Sequence, residues 1–160
     1  MTAMTARQIE IVLVEDNDED VELTLRTLGK ENLADNVYVV RDGEEALEFL
    51  FCKGAYAGRS LERPPRLVLL DLKLPKVDGM DVLKRLKADP RTNTIPVVIL
   101  TSSKEERDLI KSYGFGANSY IQKPVDFAQF RNTVKSVGLY WLLINQAPIP
   151  RTAAQTEGPR

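Results

Sequence analysis

Short apolar runs alternate with segments in which apolar residues recur every three or four positions, and the alternation persists from Ile9 to about Asn145. Apolar runs bounded by turn residues read as strands; the three-to-four spacing reads as helices that each bury one face. The first run, Ile9 to Glu15, holds Ile11, Val12, Leu13 and Val14 without a polar break, which predicts a central strand covered on both sides. Val37 to Val40, Leu67 to Leu72, Ile95 to Leu100 and Ser119 to Ile121 supply four more strands, the last a brief edge strand broken by Lys123-Pro124. Helices follow in the gaps. Val21, Leu25 and Leu28 fall at i, i+4 and i+7 after the capping stretch Asp16 to Asp20, and Ala46, Leu47, Leu50 and Phe51 follow Asp42-Gly43. Val82, Leu83 and Leu86 mark a short helix ahead of Asp89-Pro90, Leu109, Ile110 and Tyr113 a charged one, and a last helix begins near Asp126. The connector from Gly54 to Pro65 reads as a surface loop. Five strands and five helices in strict order predict a doubly wound α/β fold with a five-stranded parallel sheet, and the length suits the flavodoxin-like order 2-1-3-4-5. Residues 7–145 are expected to form one domain, and 146–160, rich in Pro, Thr, Ala and Gln, a disordered tail.

Composition narrows the function. With 160 residues, 43% hydrophobic and 28% charged, one ordinary domain with a real core is expected. Twenty-two basic residues against 23 acidic leave a formal charge of −1, which lacks the positive excess that binding to nucleic acid or to an anionic membrane uses. The chain has no histidine, so Ser-His-Asp triads, His-ligated metals and phosphotransfer through a histidine of its own are excluded. Cys52 is the single cysteine and cannot form an internal disulfide; following Phe51 on a helix, it reads as a half-buried small side chain. No N-terminal run resembles a secretory signal, so a cytoplasmic protein is expected. Val137 to Ile144, the longest strongly apolar run without a charge, is far short of the roughly 20 residues that span a bilayer.

In open parallel sheets, ligands bind beyond the carboxyl ends of the strands. Those ends carry Glu15 and Asp16, then Asp71, Thr101 and Lys123. Taken singly, most have ordinary explanations: a solvated helix start, a capping hydroxyl, a surface charge before a turn proline. Asp71 does not, because Leu67 to Leu70 and Leu72 enclose it in a buried strand, where an ionised carboxylate is costly unless paired or bound to metal. Clustered carboxylates raise one another's pKa, and a divalent cation relieves the repulsion. Oxygen donors without histidine or thiolate favour Mg²⁺ over zinc. Around such a cation Asp71 is a candidate nucleophile toward phosphorus, Lys123 a neutraliser of phosphoryl charge, and Thr101 a hydrogen-bond donor to a phosphate oxygen.

Val12-Leu13-Val14-Glu15-Asp16-Asn17, Leu69-Leu70-Asp71-Leu72-Lys73-Leu74-Pro75 with Asp78-Gly79, Thr101-Ser102, and Tyr120-Ile121-Gln122-Lys123-Pro124 occur in that order. Together they resemble the receiver domain of two-component response regulators over about residues 7 to 138. The resemblance implies that Asp71 is the phosphoacceptor and that Asp16 and Asp71 ligate Mg²⁺ directly, with Glu15 acting through water and the Lys73 backbone carbonyl completing the protein ligands. It also implies that Lys123 pairs with the phosphoryl group ahead of a cis bond to Pro124, and that Thr101 and Tyr120 are the switch positions. Glu15 stands where Asp is commoner, and Leu74 where Met is frequent. Lys73 and Ser103 occupy the two variable positions that the family uses to set dephosphorylation rate, and a screening Lys73 predicts slow hydrolysis.

Tyr120 to Phe127 followed by Gly138-Leu139-Tyr140-Trp141-Leu142-Leu143 resembles the single-domain regulators that pair with phytochrome-type sensor histidine kinases. Phe127, Phe130, Val134, Val137 and Trp141 form one helical stripe toward the sheet, while Leu139, Tyr140 and Leu143 widen it beyond what one sheet covers. A homodimer through Tyr140 and Leu143 is expected, against a helix folded back over the core. Two other functions compete with a phosphorylation switch. An aspartyl-phosphate phosphatase wants a second acid two residues after the nucleophile, where this chain has Lys73. A pseudo-receiver acting only as a binding module is disfavoured by the retention of Glu15, Asp16, Asp71, Thr101 and Lys123.

Overall fold

The computed structural model describes residues 11–30, 36–102 and 119–136. Five strands, β1 (Ile11–Val14), β2 (Val37–Val40), β3 (Leu67–Asp71), β4 (Val97–Thr101) and β5 (Ser119–Gln122), form one sheet in the order β2-β1-β3-β4-β5. Every pairing is parallel, with Ile11 opposite both Val37 and Leu67, Val68 opposite Val97, and Val98 opposite Ser119. All residues of β1, β3 and β4 are buried, as unbroken apolar runs demand of strands covered on two faces. β5 lies at the edge, as its brevity predicts. β4 starts two residues later than the apolar run, because Ile95 turns its N–H back to the Thr92 carbonyl at 3.0 Å and Pro96 has no N–H for a ladder.

Four helices are described: α1 (Asp18–Gly29), α2 (Gly43–Leu50), α3 (Gly79–Ala88) and α4 (Phe127–Ser136). The helix expected around Leu109, Ile110 and Tyr113 lies outside the described residues, as do the 7–10 and 137–160 segments. Side-chain alternation along the strands divides the core in two. Val12, Val14, Val68, Leu70, Val97 and Ile99 meet Ala46, Phe49 and Leu50 of α2 and Val82, Leu83 and Leu86 of α3. On the opposite face Ile11, Leu13, Leu67, Leu69 and Leu100 meet Val21 and Leu28 of α1 and Phe130 and Val134 of α4. Helix starts follow local chemistry: Asn17 caps α1 by accepting from the Asp20 N–H at 2.9 Å, Asp42 caps α2 through the Glu45 N–H at 2.7 Å, and Asp126 accepts from the Gln129 N–H at 2.7 Å ahead of α4.

The connector after α2 is more than a surface loop. It forms a 3₁₀ turn, Gly54–Tyr56, whose Tyr56 hydroxyl donates to Glu45 at 2.6 Å and lies 3.0 Å from the Tyr38 hydroxyl. Tyr38 stacks on Phe49 at 4.7 Å, and the Arg59 guanidinium covers the same ring at 3.8 Å while bonding the Phe49 carbonyl. Cys52 is partly exposed at the end of α2, with Arg59 3.6 Å from its sulfur.

Candidate functional site

Backbone ladders deliver the site. The Glu15 N–H donates to the Val40 carbonyl at 3.0 Å, extending the β1–β2 pairing by one residue. The Lys123 N–H donates to the Thr101 carbonyl at 2.7 Å, which ties the β5 exit to the end of β4. Asp71 is the last residue of β3 and Thr101 the last of β4, both buried. A close approach completes the frame: a Cβ on Gly79 would lie 2.4 Å from the Asp71 carbonyl oxygen, so only glycine lets α3 start directly against the Asp71 backbone. The Lys123-Pro124 bond is cis.

Carboxylate oxygens of Glu15, Asp16 and Asp71 lie within 4.8 Å of one another, Glu15 and Asp71 buried and Asp16 exposed. Lys123 Nζ sits among them, 3.3 Å from Glu15, 3.4 Å from Asp71 and 3.0 Å from Asp20. Three carboxylates thus share one ammonium. Burial, reinforced by the Asp71 charge, pushes the Glu15 carboxyl up to about 7 against the pull of Lys123. Burial likewise raises Asp71, opposed by Lys123 and by the Lys73 backbone N–H that bonds its carboxylate. Burial lowers the Lys123 ammonium, but the hydrogen bond it donates to Asp20 and the charges of Asp71 and Glu15 outweigh it and hold the group above its ordinary value. A cluster with surplus negative charge, hard oxygen donors and one open side at Asp16 fits a divalent cation of the Mg²⁺ type.

Lys73, two residues after Asp71, is exposed. Tyr120, in β5, is half-buried against the cluster that holds Val97 and Ile99, and burial raises its phenol. Ser103, Tyr140 and Leu143 lie outside the described residues. Asp20, in the first turn of α1, is the participant that sequence reasoning passed over.

A doubly wound sheet with an acidic cluster, a buried strand-end aspartate and a lysine just past the last strand defines a receiver-type fold. The chain belongs to the response regulator receiver domain family, whose model matches residues 11–135. FilR2 of Methanothrix harundinacea, named a probable methanogenesis regulatory protein, is 42% identical over 140 residues, 88% of each chain. Response regulator Rcp1 of Synechocystis sp. is 37% identical over 132 residues, 82% of this chain and 88% of that one, and its Mn²⁺-bound crystal structure superposes with a TM-score of 0.65. The bacteriophytochrome response regulator AtBRR is 49% identical, with a TM-score of 0.79 over 88% of this chain and 99% of that one.

Proposed function

We propose that this receiver takes a phosphoryl group from the phosphohistidine of a sensor histidine kinase onto Asp71 and signals by exchanging protein contacts. The observation that carries this is the buried Asp71 carboxylate set between an acidic cluster and the Lys123 ammonium. In the step, a bond forms between an Asp71 carboxylate oxygen and phosphorus as the kinase's N–P bond breaks. The imidazole leaves with the electron pair and later takes up a proton. Asp16, Asp71 and the Lys73 backbone carbonyl are the direct Mg²⁺ ligands in this reading, with Glu15 acting through water. Bound there, the cation neutralises charge on the carboxylates and on the transferring phosphoryl oxygens. Lys123 pairs with a phosphoryl oxygen, the Thr101 hydroxyl donates to another, and Tyr120 follows it inward. Beyond this transfer and the hydrolysis of its own aspartyl phosphate, the chain is not an enzyme.

The likeness to the bacteriophytochrome response regulator AtBRR supports a phytochrome-type kinase as the donor, and in this reading the exchange is set in the cytoplasm. The functional unit spans 7–145, with 146–160 as a tail, and it works as a homodimer through Tyr140 and Leu143, without nucleic acid or membrane as partner. Among the described residues, no helix is long and apolar enough to cross a membrane. Incubation with Mg²⁺ and acetyl phosphate, read by intact mass, tests the central reading. One stable phosphate adduct is expected, absent in Asp71→Ala and absent when EDTA removes the metal. Turnover of many equivalents would make the chain a phosphatase, and no adduct at all a pseudo-receiver.

A further inference from the structure

Lys123 reaches the site on a flexible four-carbon stem, so where its ammonium lies depends on how its backbone is held. Upstream the hold is dense. The Lys123 N–H donates to the Thr101 carbonyl at 2.7 Å, and the Gln129 side chain of α4 accepts from the Gln122 N–H at 2.8 Å and donates to the Gln122 carbonyl at 3.2 Å. Downstream, Pro124 has no N–H to tie. There α1 supplies a hold: its Thr27 hydroxyl donates to the Val125 carbonyl at 2.9 Å, across 98 residues of chain. The same helix holds the head of the lysine, since Asp20 accepts from its ammonium at 3.0 Å, beside Glu15 at 3.3 Å, with Asp71 ion-paired at 3.4 Å. Asp20 and Thr27 lie two helical turns apart, about 10 Å along α1 and within about 20° of one line. α1 is itself anchored by Val21 and Leu28 in the core that also takes in Val125. One rigid helix therefore grips both the head of Lys123 and the backbone two residues beyond it.

We propose that Thr27 is a positioning residue: by tying the Val125 carbonyl to α1 it sets the direction in which Lys123 leaves β5, and so aims the ammonium at the place a phosphoryl group takes on Asp71. This rests on the receiver reading above. The Thr27 hydroxyl bonds backbone outside the carboxylate cluster, so it acts through Lys123. Without it the part-buried Val125 carbonyl loses its donor, and the segment can shift by a fraction of an ångström, enough to weaken an ion pair that depends on placement.

The test uses beryllofluoride as the phosphoryl mimic, titrated at saturating Mg²⁺ into the full chain and followed by the ¹⁹F resonances of the bound ion. Thr27→Val keeps the side-chain shape and removes the donor; it is expected to bind the mimic roughly three- to tenfold more weakly than wild type. Thr27→Ser keeps the hydroxyl and should stay within about twofold of wild type. The second readout needs neither metal nor mimic. The ¹³Cε resonance of Lys123, assigned by its loss in Lys123→Arg, should shift in free Thr27→Val and return in Thr27→Ser. A role confined to stabilising α1 would lower Tm and leave this resonance in place. If Thr27→Val does not melt cooperatively, Thr27→Ala, which adds no bulk, carries the same two measurements. Wild-type affinity in the variant without the donor, an unmoved Lys123 resonance, or a serine variant no better than valine would each overturn the proposal while leaving the receiver reading intact. Failure of wild type to bind the mimic, with Asp71→Ala as the blank, would remove both.

Discussion

Asp71 accepts a hydrogen bond from the Lys73 backbone N–H, so the exposed Lys73 side chain departs from a point fixed against the acceptor. From there an ammonium can lie between an aspartyl phosphate and the water that would hydrolyse it. Lys73→Asn, which shortens the side chain and removes its charge, is expected to speed loss of the phosphoryl group roughly two- to fivefold, equivalent to about 0.5–1 kcal/mol in the barrier. The decay of ³²P-labelled protein after removal of donor measures this, and identical half-lives would refute the screening role. Glu15, Asp16, Asp71, Thr101 and Lys123 were legible in the sequence because each follows an apolar run, and a parallel sheet sends all such ends to one edge. Asp20 was not. It stands in a run with Asp16, Asp18, Glu19 and Glu22, where composition says only that the helix start is acidic; the choice of one carboxylate depends on where Lys123 arrives from a strand about a hundred residues away.

The elements were largely readable, since α1, α2 and α3 are amphipathic and the inner strands are continuously apolar. What escaped was contact between segments distant along the chain. Tyr38 from β2, Phe49 from α2 and Tyr56 and Arg59 from the connector make one stacked cluster, although Gly, Pro, Arg and Ser around them read as loop. The join between the start of α2 and the loop after β3 is a second case. The Gly43 N–H donates to the Pro75 carbonyl at 3.1 Å, and a Cβ on Gly43 would sit 1.8 Å from the Val77 carbonyl oxygen. That oxygen belongs to the backbone and cannot swing aside, so Gly43→Ala must push α2 away from the loop that leads out of β3. A loss of about 2–3 kcal/mol is expected, lowering Tm by about 5–10 °C in thermal unfolding. Gly58→Ala is the matched control: nothing lies within 4 Å of its added methyl, and its Tm should stay within about 2 °C of wild type. Equal Tm values for the two variants would show that the close approach exerts no constraint.

For the whole molecule, the question is which surface carries the output. Among the described residues Leu23 is the one large hydrophobic side chain that is exposed, so the folded body offers little apolar area to a partner. α4 buries Phe130 and Val134 against β1, β3 and β4, with Phe127 half-buried beside them. In the sequence pattern, at about 100° per residue, Val137 and Trp141 share the line of Phe130 and Val134, whereas Tyr140 and Leu143 come about 80° and 140° from Phe130. A sheet covers one face of a helix, and the pattern sets Tyr140 and Leu143 apart from the positions such a face would use. Association of two copies through them would bury that second stripe and would bring both phosphoacceptor sites into one assembly, where differential stability of the resting and phosphorylated pairs transmits the signal. Sedimentation velocity over a range of concentrations should give a dimer for the wild-type chain and a monomer for the Tyr140→Asp, Leu143→Asp double variant. Acetyl phosphate should still add one phosphate to the variant, which shows that the loss is of association and not of fold. An unchanged sedimentation coefficient in the variant would remove the dimer and return that stripe to a helix folded back over its own core.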